Sequence, residues 1–169
     1  VIRNQSGLGF VKQSGEQTYQ QMKDRLMHIV ENHFRPEFLN RLDDTIVKIL
    51  GGGRPEVFER LGAASADANL TTVHAAFVAP GDPQAFLAKA PQIYRMYYQT
   101  GRREYEKTGE KEGVLTTYDA ETFSKADCLT VIGWYKRALE LCGAKNPRII
   151  EDSCRARGDE VCRYRVSWQ

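Results

Sequence analysis

Arg148-Ile149-Ile150-Glu151-Asp152-Ser153-Cys154-Arg155-Ala156-Arg157-Gly158-Asp159-Glu160-Val161-Cys162-Arg163-Tyr164-Arg165-Val166-Ser167-Trp168 decides the fold. It reads as two strands, Arg148 to Cys154 and Val161 to Trp168, around the turn signal Gly158-Asp159. Just upstream, Leu129 to Leu141 reads as a helix, with Ile132, Tyr135, Leu139 and Cys142 on one face and Gly143 as its stop. A second hairpin precedes that helix. Arg103 to Lys107 alternates loosely, Gly113 to Tyr118 is β-branched and aromatic, and residues 109–113 form the loop between them. Helices come before both hairpins. Pro55 can open one that carries Val57, Phe58 and Leu61 up to Gly62; another runs from Ala63 to Val78. A further one, capped by Asp82, starts at Pro83, bends at Pro91 and stops at Gly101. The order predicts an α+β fold, several helices packed on an antiparallel sheet of two hairpins. No βαβ repeat is present, which excludes a doubly wound parallel sheet.

The first third is organised differently. Tyr19, Met22, Leu26, Ile29 and Val30 predict a helix over Gln17 to Asn32; Phe38, Leu42, Ile46 and Ile49 or Leu50 predict a second after the break at Pro36. Gly51-Gly52-Gly53 ends it and marks a hinge. The expected organisation is a helical arm over 1–50 and an α+β domain over 54–169. The 169 residues are 41% hydrophobic and 27% charged, enough to bury a core without metals or disulfides merely to fold. A net charge of +2 argues against a nucleic-acid partner. No apolar run approaches a membrane span, and Val1 to Gln5 lacks a signal-peptide core, so the expected location is cytoplasmic.

Short motifs add little catalytic chemistry. Gly7-Leu8-Gly9-Phe10 lacks the third glycine of a dinucleotide fingerprint, and Gly51-Gly52-Gly53 lacks the Lys-Ser/Thr of a phosphate loop, so no nucleotide is expected. His28 and His33, five positions apart, do not share a helix face as ligands would, and His74 stands alone. No nucleophile and base are placed together by sequence.

The cysteines carry more. Cys154 and Cys162 flank a seven-residue connection; a three-residue turn centred on Gly158 sets them opposite each other on one face. A helix from Cys128 to Cys142 rises about 21 Å, and a strand from Pro147 to Cys154 returns about 23 Å. The return therefore reaches the level of Cys128. Cys128, Cys154 and Cys162 converge, and Cys142 stays behind as a core thiol. Thiolates so placed suit a tetrahedral zinc site, but cysteine also packs as a small hydrophobe, and spacing alone leaves both readings open. For a fourth ligand, alternation favours Asp152 on the face of Cys154, whereas Glu151 needs a bulge. Tyr94, Tyr97, Tyr98, Trp134, Tyr135 and Trp168 are candidates for lining an apolar ligand pocket, or simply core.

Two resemblances follow. Phe34-Arg35-Pro36-Glu37-Phe38-Leu39-Asn40-Arg41-Leu42-Asp43-Asp44, with Leu8-Gly9-Phe10 upstream, resembles part of the second ATPase module of Clp-type disaggregase chaperones, over about residues 2–47. There the arginine after Asn is an arginine finger, which would be Arg41 here. The phosphate loop and Walker B acid of that module are missing from this sequence, so the resemblance implies a docking or structural arm rather than ATP hydrolysis. Over about residues 56–169, Glu151-x2-Cys154-x7-Cys162 with Tyr164-x3-Trp168, preceded by Gly133-Trp134 and Leu139-Glu140, is similar to the 4-vinyl reductase domain and the sensor domains of aromatic-responsive activators. Those domains share a fold with nitric-oxide sensors and a Golgi-transport tethering subunit.

The second resemblance implies a commonly dimeric small-molecule-binding domain, in which Cys128, Glu151, Cys154 and Cys162 hold a structural zinc. No histidine sits in a haem-binding context, so no haem is expected. The leading expectation is a non-catalytic sensor module for an apolar or aromatic small molecule, working as a homodimer or through a partner. The alternative is an assembly protein that docks through the Clp-like arm. A tetrapyrrole vinyl reductase ranks last, because no hydride-cofactor motif or acid/base pair is present.

Overall fold

In the computed structural model, which describes residues 36–121 and 123–169 with side chains from Arg41 onward, both hairpins join one antiparallel sheet. The strands are β1 (Arg102–Gly109), β2 (Glu112–Tyr118), β3 (Arg148–Ser153) and β4 (Cys162–Ser167), in the order β1-β2-β4-β3. Alternation gives the sheet an inner and an outer face. On β4, Cys162, Tyr164 and Val166 are buried, while Arg163 and Arg165 are exposed. Register lines the inner residues up across the sheet: Arg103 pairs with Thr117 and Thr117 with Cys162, and the next inner row is Tyr105, Leu115, Tyr164 and Glu151.

The helices are α1 (Pro36–Ile49), α2 (Val57–Leu70), α3 (Pro83–Leu87), α4 (Ala90–Tyr97) and α5 (Lys125–Leu141). The architecture is the expected α+β one. The chain divides into two compact units, Val1–Thr45 and Ile46–Gln169, and the core described below belongs to the second. There Leu70, Phe86, Leu87, Leu115, Leu139 and Tyr164 are among the fully buried or nearly buried residues. The helix expected over Gln17 to Asn32 lies outside the described residues.

The long helix expected from Leu129 begins one turn earlier, at Lys125, and three other boundaries differ from the sequence expectation for a physical reason. Gly62 does not stop a helix; α2 runs through it because α5 crosses there. A β carbon on Gly62 would stand 2.1 Å from the Thr130 carbonyl oxygen, and one on Gly133 would stand 1.9 Å from that of Glu59. The two glycines let the backbones touch, and the ion pairs Lys136–Glu59 (2.9 Å) and Arg137–Asp67 (2.7 Å) flank the crossing. The helix expected to reach Val78 ends at Leu70. The Thr71 and Thr72 hydroxyls there donate back to the carbonyls of Asp67 and Ala68, and a separate 3-10 turn spans Ala75–Phe77.

The helix expected from Pro83 to Gly101 is two helices. Asp82 caps the first, its Oδ1 accepting from the Ala85 amide at 2.9 Å. Pro91 lies in the first turn of the second, where its missing N–H costs nothing, so it starts α4 rather than bending it.

Candidate metal centre and adjoining cavity

Helix α5 begins with a side-chain cap: Ser124 Oγ accepts from the Asp127 amide at 3.0 Å. That start sets Cys128 in the first turn, 2% exposed. Two further cysteines reach it from the sheet. Cys128 Sγ lies 3.4 Å from Cys154 Sγ and 3.9 Å from Cys162 Sγ, and all three sulfurs fall within 4.8 Å of one another.

A bulge between Glu151 and Ser153 makes this possible. Before it, Glu151 pairs with Tyr164; after it, Ser153 pairs with Arg163, so β3 has gained one residue. Continuing the shifted register sets Cys154 opposite Cys162. Strict alternation would have turned either Glu151 or Cys154 outward; the bulge brings both inward. Asp152, the residue that unbroken alternation favours, instead pairs on the exposed side with Arg165 through two hydrogen bonds of 2.7 and 2.9 Å.

The connection after β3 is not a three-residue turn centred on Gly158. A 3-10 turn at Arg155–Arg157 leads into Gly158, whose φ of 95° is a conformation glycine adopts freely. Asp159 Oδ2 accepts from the Cys154 amide at 2.7 Å and closes the loop.

The electrostatics favour the thiolate at one of the three sulfurs and the thiol at the other two. A hydrogen bond from Cys128 pulls the Cys162 thiol down to about 6, and the Arg155 amide, 3.4 Å from its sulfur, adds to the effect. The same sulfur contact pushes the Cys128 thiol up, as do burial and Glu151. Burial pushes Cys154 up. Glu151 accepts from Arg157 Nη1 at 2.8 Å through Oε2, while its Oε1 is buried without a hydrogen-bond partner. The three clustered sulfurs are donors of the type that zinc takes, whereas the Glu151 carboxylate, with its one unpartnered buried oxygen, lies outside the group of ligand atoms that fall within 4.8 Å of one another. Cys142, at the far end of α5, is fully buried and apart from this cluster, its sulfur accepting weakly from the Ala79 amide at 3.5 Å.

Cys162 also lines a second feature, a cavity of about 10 Å³ with Tyr94, Tyr98, Arg103, Asp127 and Phe123 among its walls. That volume holds one water-sized group. Tyr94 and Tyr98 stack at 4.5 Å; the Tyr94 hydroxyl donates to the Thr100 carbonyl, and that of Tyr98 to Asp127 Oδ1 at 2.8 Å. Burial pushes both the Tyr98 hydroxyl and the Asp127 carboxyl up.

Of the six aromatic residues expected to line a pocket, Tyr94 and Tyr98 reach this cavity. Trp134 packs against Tyr97, Tyr135 and Phe86, and Trp168 lies against the core. Sequence reading missed Arg103, Thr117, Phe123 and Asp127. Arg103 had no usable signal of its own, because only the register sets this inward arginine opposite Thr117, which in turn pairs with Cys162. His74 packs edge-on against Phe77 and Tyr97. Arg41, the arginine-finger position, is exposed on α1.

A family model described as "Protein of unknown function (DUF2378)" matches residues 24–169. Among curated proteins, the chaperone protein ClpB of Dichelobacter nodosus is 40% identical over 47 residues, 28% of this chain and 6% of the chaperone. ClpB 1 of Nostoc sp. is 57% identical over 35 residues, 20% of this chain and 4% of that protein. The chain thus spans a small fragment of the curated relatives it matches.

Among solved structures, the phenol-responsive sensory domain of the transcription activator PoxR with phenol superposes with a TM-score of 0.56 at 17% identity, covering 80% of this chain and 75% of that one. An H-NOX protein from S. oneidensis in the Fe(II)NO state gives 0.58 at 14% identity, covering 90% and 92%. At such identities the likeness is one of fold. Among the described residues, no helix is long and apolar enough to cross a membrane.

Proposed function

The chain belongs to the DUF2378 family, and from that premise we propose that its α+β unit is a non-catalytic, small-molecule-binding sensor module whose ligand cavity is braced by a structural zinc. The observation that carries this reading is the double position of Cys162: one sulfur belongs to the thiol cluster while the same residue lines the cavity. Cys128, Cys154, Cys162 and Glu151 would hold the metal. Bound there, zinc would supply cross-linking rather than reactivity, because four protein ligands leave no position for water. It would tie the first turn of α5 to the ends of β3 and β4, the elements that also supply Asp127, Cys162 and Tyr164 to the cavity. The fold shared with the PoxR phenol-sensing domain and with H-NOX supports a sensor rather than an enzyme. The ligand would be apolar or aromatic, and the response would pass to a second copy or to a separate partner.

Metal analysis combined with native mass spectrometry, on protein purified without added metal, tests the reading. The expected result is one zinc per chain, lost in Cys154→Ser, and a thermal stabilisation of the zinc form by small aromatic compounds. A metal-free mass with four free thiols would overturn the zinc centre, and a panel of aromatics without effect would overturn the ligand-binding role.

The ClpB-like segment favours a second reading, an assembly role for the N-terminal arm. Deleting residues 1–50 would then abolish partner capture while leaving ligand binding intact.

A further inference from the structure

The sulfurs that can hold a metal can also be oxidised, and one of them borders open space. All three clustered cysteines are buried, but only Cys162 lines the cavity. Beside it the cavity of about 10 Å³ has room for one water-sized group. Two of the walls next to Cys162 carry hydrogen-bond donors. Thr117 pairs with Cys162 across β2 and β4, and Arg103 Nε donates to Thr117 Oγ1 at 2.9 Å. Phe123, another wall residue, is 40% exposed beneath the Arg155 guanidinium and marks the side towards solvent.

Cys162 has a second thiol within reach. Cys128 Sγ lies 3.9 Å from its sulfur and 3.4 Å from that of Cys154. A disulfide bond is about 2 Å long, so side-chain movements of roughly that size would join Cys128 to either partner. Cys142, at the other end of α5, has no such neighbour, and its sulfur meets the Ala79 amide instead.

We propose that hydrogen peroxide entering this cavity oxidises Cys162, which then bonds to Cys128, so that the cluster holds either a metal or a disulfide. In the first step the Cys162 sulfur takes one peroxide oxygen as the O–O bond breaks. The other oxygen leaves as water with the thiol proton. The product, a sulfenic acid, carries one added hydroxyl, which the cavity can hold beside the Thr117 hydroxyl and Arg103. A second oxygen, needed for the irreversible sulfinic acid, has no room there. In the second step Cys128 attacks the same sulfur: the S–S bond forms, the S–O bond breaks, and the hydroxyl leaves as a second water with the Cys128 proton. Peroxide is thus reduced to two waters while two thiols are oxidised to one disulfide. The inference rests on the cluster of the zinc reading, since Cys128 and Cys162 are two of the metal's donors and their disulfide would expel it; the oxidation itself needs only the sulfurs.

Equimolar hydrogen peroxide added to the whole chain, as purified and after metal removal, tests the proposal. Thiol titration, peptide mapping and a chromophoric zinc chelator read the same samples. The expected result is loss of two of the four free thiols and release of the zinc, with the thiols recovered on adding dithiothreitol. In Cys154→Ser, where no exchange can move the bond, mapping should link Cys128 to Cys162. Dimedone present during the exposure should label Cys162 before any other cysteine of the wild type, which decides the order of events even if Cys154→Ser does not fold. Four thiols surviving excess peroxide, or Cys142 labelled as fast as Cys162, would overturn the proposal, and zinc retained in the same sample would leave the zinc reading standing. A reversible Cys128 disulfide in a chain purified without zinc would support the oxidation and overturn the zinc centre.

Discussion

Helix α5 carries a buried cysteine at each end, and the two are opposites. Cys128 and Cys142 are 2% and 0% exposed, so burial does not separate them. Their neighbours do. Around Cys128 stand two sulfurs, with Glu151 close enough to push its thiol up, and one of those sulfurs belongs to a residue that lines the cavity. Around Cys142 stand the helix end closed by Gly143, with φ of 92°, and the Ala79 amide. One end of the helix gathers sulfur donors, and the other only packs. A buried thiol becomes a candidate ligand only when the fold brings other donors to it.

The packing half of α5 should be the more fragile. A methyl group on Gly133 would stand 1.9 Å from the Glu59 carbonyl oxygen, a backbone contact that no side-chain rotation relieves. Gly133→Ala should therefore cost about 3 kcal/mol or more, the upper range of overpacking, read as a lower urea midpoint or loss of soluble protein. An unchanged midpoint would mean that α2 and α5 do not meet there.

The next contrast is between the two thiols themselves. Cys128→Ser should abolish zinc binding and make the melting temperature insensitive to chelators. Cys142→Ala should keep one zinc per chain and cost about 1 kcal/mol for the small void it leaves. Metal analysis and thermal melts on the two variants, side by side, check both. Equal loss of zinc from both would erase the distinction drawn between the ends.

Glu151→Gln should act more gently than loss of a thiol. The expected change is about tenfold to a hundredfold in zinc affinity, comparable to or larger than the loss of an outer-shell partner. Competition with a chromophoric chelator measures it.

The smallest expected effect is at high pH. Burial pushes the Tyr105 hydroxyl up to about 12, against the weaker downward pull of its bond to Gln84, and pushes Tyr98 up as well. The folded hydroxyls stay neutral where those of the unfolded chain ionise near 10. Their contribution is present below pH 10 and is lost as pH rises from there towards 12. Urea midpoints of the wild type should fall over that window, and those of Tyr105→Phe should fall less.

The same contrast explains what could be read from the sequence. Helix and strand lengths alone were enough to return β3 to the level of Cys128 and to set Cys142 aside, because rise per residue is fixed by backbone geometry. The arrangement of Glu151 and Asp152 was not legible in that way. Alternation pointed to Asp152, and the bulge that reverses the choice depends on how β3 pairs with β4. Gly62 misled for a similar reason. A glycine that stops a helix and one that admits a neighbouring helix look alike until the partner, Gly133, is in place. Of the six aromatic candidates, Tyr94, Trp134 and Tyr135 are buried while Tyr97 is 45% exposed, and spacing did not tell these apart or say which border a cavity. Arg103 was hidden because a single inward charge on a loosely alternating strand reads as noise until the register sets it beside Thr117.

X-ray absorption at the zinc edge, on protein purified without added metal, decides whether the cysteine cluster is a metal centre. The expected spectrum shows one bound zinc with three sulfur neighbours and one oxygen neighbour, falling to two sulfurs or to no metal in Cys162→Ser. A first shell of nitrogen and oxygen alone, or no zinc to excite, would contradict it.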